Sequence, residues 1–151
     1  MSTSYETELE QSGRIVFTVK GVSMRPLFRA DSDMILVKKT NPAKLKNLDI
    51  VLFKRLSNKG EQYVLHRIVD KTKDGRFVIA GDNCTDADYV LPEDILGLVV
   101  SAQRKNKAIP LNGFRYTLYE RLWCAPYKFR FLILKIRGKC RRIAKKVLRR
   151  R

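Results

Sequence analysis

The stretch "DIVLFKRLSNKGEQYVLHRIVDKTKDGRFVIAG" occupies residues 49–81. Three runs rich in β-branched and aromatic residues, 49–56, 62–70 and 75–81, are joined by "SNKGE" and "KTKDG", and each of these short links holds a glycine. Such residues suit a pleated, half-buried surface, and short glycine-bearing links between such runs read as hairpins. Neighbouring strands must then be antiparallel. Working outward, "RIVFTVK" (14–20) and "DMILVKK" (33–39) lie upstream, "NPAK" marks a further turn, and "ILGLVVSAQR" (95–104) lies downstream. The expected fold is mainly β, an antiparallel domain over residues 13–110.

Beyond "IPLNG" (109–113) the period changes. Residues 114–124 and 127–151 suit helices, with Pro126 ending the first or sitting early in the second. In the second, Phe129, Ile133, Ile136, Cys140, Ile143 and Val147 recur at three- and four-residue steps and form one apolar stripe, while Lys and Arg fill the other faces. The chain therefore divides into a flexible N-terminus (1–12), the β domain and a basic amphipathic helical extension (111–151). Charge follows the same division. Residues 1–113 carry 18 Lys and Arg against 14 Asp and Glu, a net of +4, whereas residues 114–151 carry 14 against Glu120 alone, a net of +13.

At 151 residues and 44% hydrophobic content the chain is long enough to bury one core. Cys84, Cys124 and Cys140 are odd in number and contain no CxxC pair, which favours neither a disulfide framework nor a zinc site. The polar, acidic start lacks the basic and apolar regions of a secretory signal, and no window approaches the roughly 20 apolar residues of a membrane span. A cytoplasmic protein without cofactor or metal is expected.

The candidate chemistry begins at "GVSMRPLF" (21–28). Gly21 and Pro26 suit a change of direction, and a serine there is commonly just a loop residue. As a nucleophile, Ser23 would need a base elsewhere in the chain. The one histidine, His66, lies in a run whose alternation puts Val64, His66 and Ile68 on one face and Tyr63, Leu65 and Arg67 on the other. Apolar surroundings favour a neutral imidazole, the form that accepts a proton. The stretch "GDNCTDAD" (81–88) brings Asp82, Asp86 and Asp88. It lacks the central glycine and closing glutamate of an EF-hand loop. A carboxylate that orients His66 is chemically sufficient, and the residues alone leave open which of the three does so.

Taken in order, "GVSMRP", "LHRIV" and "GDNCTDAD" resemble the type I signal peptidase superfamily, which also contains the self-cleaving SOS repressors. The closer likeness is to its archaeal and endoplasmic-reticulum branch, with SxMxP-like, HR and GDN boxes, and it spans residues 14 to 101. The resemblance implies a serine endopeptidase that cleaves a leader or signal-like peptide. Ser23 would be the nucleophile and His66 the base; Asp88, six residues beyond the aspartate of the GDN box, would orient His66. Asp82 would support the site, paired with Arg67, with Asp86 as the spare. The Ser23 N–H would serve the oxyanion, since Gly21 stands where some members carry a hydroxyl. Met24 and Pro26 would shape the floor and the turn, and substrate would lie extended along a strand edge.

Two departures accompany the likeness. Cys84 replaces the second asparagine usual in the GDN box, which introduces a rival nucleophile near His66. The membrane anchor of ordinary signal peptidases is missing, and the residues before the first strand leave no room for a repressor's DNA-binding module. For the basic segment 127–151 three roles compete: packing on the β domain, docking peripherally on an anionic membrane surface at its inner face, or binding nucleic acid, which charge favours but no recognition motif supports. The alternative to catalysis is a non-catalytic protein of the same fold that acts through this helix.

Overall fold

The computed structural model describes residues 5–58 and 60–148. Along the chain come helix α1 (Tyr5–Ser12), strands β1 (Arg14–Thr18), β2 (Asp33–Lys39), β3 (Ile50–Ser57), β4 (Gly60–Lys71), β5 (Phe77–Ala80), β6 (Asp88–Val90), β7 (Ile95–Arg104) and β8 (Lys107–Ala108), then helices α2 (Phe114–Tyr119) and α3 (Tyr127–Leu148). The strands form one sheet in the order β1-β2-β7-β3-β4-β5-β6, with β8 beside β7. Every pairing is antiparallel. The protein is thus a mainly antiparallel β structure with a helical C-terminal end, and each of the six strand-like runs contains a strand. The two hairpins occur where the glycine-bearing links lie, β3 pairing with β4 and β4 with β5. β6 and β8 are three and two residues long, too short to express a period.

The N-terminal segment differs from the expected flexible lead. Tyr5–Ser12 form a helix whose Leu9 is buried in the core, while Tyr5 stacks on Phe17 at 5.4 Å and meets Tyr63 at 5.1 Å between ring centroids. Two apolar residues one turn apart suffice to dock a short polar helix. Gly13, with φ of 69°, donates its N–H to the Leu9 carbonyl at 3.0 Å and ends α1. Residues 1–4 of that expected segment lie outside the described residues.

One apolar cluster gathers Leu9, Ile15, Met24, Phe28, Ile35 and Val37, and a second gathers Val51, Phe53, Ile68, Phe77 and Ile79. β4 runs between them and changes partners along its length. Residues 60–67 pair with β3, whereas pairing with β5 begins only at Arg67. Among the described residues, the outer edge of β4 is therefore free up to His66, and β1 pairs with β2 alone and offers a second free edge. A cavity of about 400 Å³ lies between them, lined by Phe17, Val19, Tyr63 and Leu65 among others.

At the C-terminal end, α2 passes through a π-helical turn (Glu120–Cys124) into α3. The apolar stripe of α3 does not cover the β domain. Phe129, Ile133, Ile136, Cys140, Ile143 and Val147 are all exposed, and the helix instead buries Arg130 and Leu134. Periodicity shows that a stripe exists, but only the contacts show what it faces. Residues 149–151 of this segment lie outside the described residues.

Candidate active site

Ser23 sits in a loop that is held from both ends. Gly21 has φ of 75°, a left-handed conformation that glycine adopts at little cost. On the far side of Ser23, Met24 and Phe28 are buried in the first cluster, and the Phe28 N–H donates to the Met24 carbonyl at 3.0 Å. The Arg25–Pro26 peptide is cis. Beneath the loop lies buried Asp33. It accepts from Arg104 Nε at 2.7 Å, from Arg104 Nη2 at 2.6 Å and from the Arg29 N–H at 2.8 Å, while Arg104 also reaches the Leu27 carbonyl at 3.1 Å. Burial opposes ionisation of Asp33, but these donors hold its carboxyl below the usual range. Neither Asp33 nor Arg104 is marked by any local motif, because the partners are far apart in sequence.

The second wall of the site is the loop after β5. Its Asn83 N–H donates to the Ser23 carbonyl at 2.7 Å, and the Asn83 side chain donates to the Val22 carbonyl at 3.2 Å. This contact explains Gly81. A Cβ there would come within 2.7 Å of both Cys84 Sγ and the Ser23 carbonyl oxygen, and within 3.0 Å of His66 Nε2. A glycine followed by "DNC" could have raised the possibility of such a close approach.

His66 is buried beneath the cavity, 6.1 Å from the Phe53 ring between centroids. Its Nδ1 lies 3.7 Å from Asp88 Oδ2, an ion-pair separation rather than a hydrogen bond, and among the described residues Nδ1 has no hydrogen-bond partner. Nε2 points the opposite way, toward Gly81 and Cys84, whose Sγ is 4.0 Å distant. No hydrogen bond joins the Ser23 hydroxyl to His66 among the described residues, and none engages the Ser23 N–H. Ser23, His66, Cys84, Asp86 and Asp88 all line the same cavity.

Asp88 is also gripped from the cavity side. Arg55 Nη1 donates to its two carboxylate oxygens at 2.8 and 3.0 Å. Burial pushes the Asp88 carboxyl up, but His66 and Arg55 overrule it and hold the group below the ordinary range. Arg55 was given no role by motif reading, and only the β3–β4 register brings it beside the cleft.

The remaining residues singled out in the sequence fall in different places. Met24 lines the cavity, whereas Gly21 acts through its backbone, and Pro26 borders a separate cavity with Arg25 and Trp123. Asp86 is exposed and sits at the rim. Asp82 is fully buried, and its side chain turns toward the helical end rather than to His66. It takes two hydrogen bonds from Arg67, both at 2.9 Å, and one from the Tyr119 hydroxyl at 2.8 Å, and its carbonyl accepts from the Trp123 indole at 3.0 Å. Arg67 extends the cluster to the Leu48 carbonyl, the Tyr116 hydroxyl and Glu120 at 2.9, 3.0 and 3.2 Å. Burial would favour neutral Arg67, but the Asp82 charge raises its affinity for the proton. Burial likewise pushes the Cys124 thiol up to about 12, and the Tyr119 phenol rises for the same reason, so both remain donors toward Asp82.

Cys84 is half-buried, and burial raises its pKa above that of a free thiol. It is a thiol rather than a thiolate at neutral pH. Among the described residues no group of three or more His, Cys, Asp or Glu side chains is arranged to hold a metal ion, and no helix is long and apolar enough to cross a membrane. Comparison with protein-family models, curated proteins and solved structures finds no match for this chain.

Proposed function

We propose that this chain is a serine endopeptidase of the signal-peptidase type, acting on an extended leader or signal-like segment. The observation that carries the reading is the placement of His66. One ring nitrogen faces the Asp88 carboxylate, and the other faces Gly81 and Cys84, in the loop whose Asn83 N–H holds the Ser23 carbonyl at the rim of the same cavity. His66 Nε2 takes the hydroxyl proton as Ser23 Oγ bonds to the scissile carbonyl carbon, and the Ser23 N–H receives the developing oxyanion. The proton passes to the leaving amine as the C–N bond breaks; water then hydrolyses the acyl-enzyme by the same route. The free edges of β1 and β4 flank the cavity, and an extended peptide adds there as a strand.

A second reading rests on the Cys84 contact, in which the thiol is the nucleophile. Its raised pKa disfavours it, because the reactive species is the thiolate. Labelling with a fluorophosphonate probe and cleavage of candidate leader peptides separate the two. Ser23→Ala and His66→Ala should each lower cleavage on the order of 10²–10⁴-fold, whereas Cys84→Ala retains it. Full cleavage by both Ser23→Ala and His66→Ala would sink the catalytic reading and leave a binding protein on this scaffold. Loss confined to Cys84→Ala and His66→Ala would transfer the chemistry to the thiol.

A further inference from the structure

The two sides of α3 differ in a way that folding alone does not explain. At about 100° per residue, Arg130, Leu134, Arg137 and Arg141 share the inward side. Arg130 and Leu134 are buried, and Arg137 Nη2 donates to Asn83 Oδ1 at 2.8 Å. On the outward side, Phe129, Leu132, Ile133, Ile136, Ile143 and Val147 form a continuous apolar strip, each between 37% and 64% exposed. Lys135, Lys139, Arg142 and Lys146 border this strip on one side, and Arg137 and Arg141 on the other. Segment 114–151 has 14 Lys and Arg against one Glu. The helix is about 33 Å long at 1.5 Å per residue and is held to the domain through its other side, so the strip remains open along its length.

We propose that the outward face of α3 docks flat on the surface of an anionic phospholipid bilayer. The strip enters the boundary between headgroups and acyl chains, and the flanking cations meet the lipid phosphates. The charge is complementary to such a surface. A nucleic acid would use the cations but leave the apolar strip in water. Arg137 and Arg141 also line a cavity of about 530 Å³ with Arg25, Asn83 and Trp123, a place for a headgroup phosphate, since no carboxylate lines it. Through Arg137 and Asn83 the docked helix is linked to the carbonyl of Ser23. This inference is independent of the peptidase reading, and its test does not use cleavage.

The full chain is sedimented with vesicles of phosphatidylglycerol and phosphatidylcholine, and with vesicles of phosphatidylcholine alone. Binding should require the anionic lipid and weaken as salt is raised. Ile136→Glu and Ile143→Glu lie on an exposed face and leave the fold intact, which a thermal melt checks; each should weaken vesicle binding about tenfold or more, from apolar area no longer removed from water. Equal binding to neutral vesicles would overturn the electrostatic part. Unchanged binding by the Ile136→Glu, Ile143→Glu pair would overturn the strip's role. Tight binding to single-stranded RNA that the pair leaves untouched, without vesicle binding, would make the helix a nucleic-acid element instead. Concentration-dependent dimerisation without vesicle binding would assign the strip to a second copy of the chain.

Discussion

Asp82 and Asp88 stand six residues apart, one in the loop after β5 and the other at the start of β6, and each faces an arginine, yet their surroundings make them different kinds of group. Asp82 is sealed, with Arg67, Tyr119 and the Trp123 indole closing around it. Asp88 borders an open cavity, with both oxygens held by Arg55 and one of them also facing the edge of His66. The first arrangement ties the helical end to the sheet; the second leaves a carboxylate that can follow a change of charge on the imidazole. Strand alternation creates the division. His66 and Arg67 are adjacent on β4 and point to opposite faces, one into the cleft and the other into the helices.

The largest expected effect comes from breaking the sealed cluster. Asp82→Ala removes the bidentate partner of the buried Arg67 guanidinium and leaves it only Glu120 at 3.2 Å as an anionic partner, and removal of one member of a buried pair costs about 3–5 kcal/mol. Urea unfolding should show that loss as a lowered midpoint, with Arg67→Met falling similarly because it leaves buried Asp82 with Arg130, 3.7 Å away, as its cationic partner. A change under about 1 kcal/mol in either variant would mean that the cluster does not anchor the helices in solution, on the scale of ordinary surface changes.

Asp88→Asn inverts the pattern. The side chain is partly exposed and the amide fills the same space, so the unfolding midpoint should scarcely move. Under the peptidase reading kcat should fall on the order of 10²-fold, the lower end for positioned acid–base groups, because the 3.7 Å spacing makes this pair loose before substrate binds. KM should change little, since Asp88 supports His66 rather than binding peptide. Equal losses of stability at Asp82 and Asp88 would erase the distinction between the two aspartates.

Much of this division was legible in the sequence, and its limits are physical. Long runs rich in β-branched and aromatic residues, such as those around Ile35, Leu52 and Leu65, reveal strands because that composition is sustained over many residues between turn signals. The grouping of Ser23, His66 and the acidic loop in one cavity was foreshadowed by their order. What could not be read was partnership at a distance. Arg104 supports the Ser23 loop through Asp33, 71 residues away, and Arg55 reaches Asp88 across 33 residues. The stripe on α3 was visible too, but its outward direction depends on Arg130 and Leu134 taking the inner side. Helix α1 buries a single residue, Leu9, which leaves almost no period in its sequence.

The smallest effect, and the sharpest test of the open pair, is Arg55→Ala. Its link to Asp88 is partly exposed, so at neutral pH its removal should change stability by no more than about 1 kcal/mol. The pH dependence is more informative. A carboxyl held low in the folded protein adds stability above its unfolded pKa and loses it as pH falls through the folded value. Burial pushes Asp88 up, while His66 and Arg55 pull it down; without Arg55 the carboxyl moves back toward the ordinary aspartate value near about 3.9. The acid limb of unfolding midpoint against pH should therefore begin at the same unfolded-state value in both proteins but be shallower and end at higher pH in the variant than in the parent, with the curves merging below both folded values. Superimposed acid limbs would show that Arg55 does not set the charge on Asp88. Cleavage adds a second discrimination. Freed from Arg55, the carboxylate can close the 3.7 Å gap to Nδ1, so kcat should hold or rise, whereas a raised KM at constant kcat would make Arg55 a contact for the peptide in the cleft.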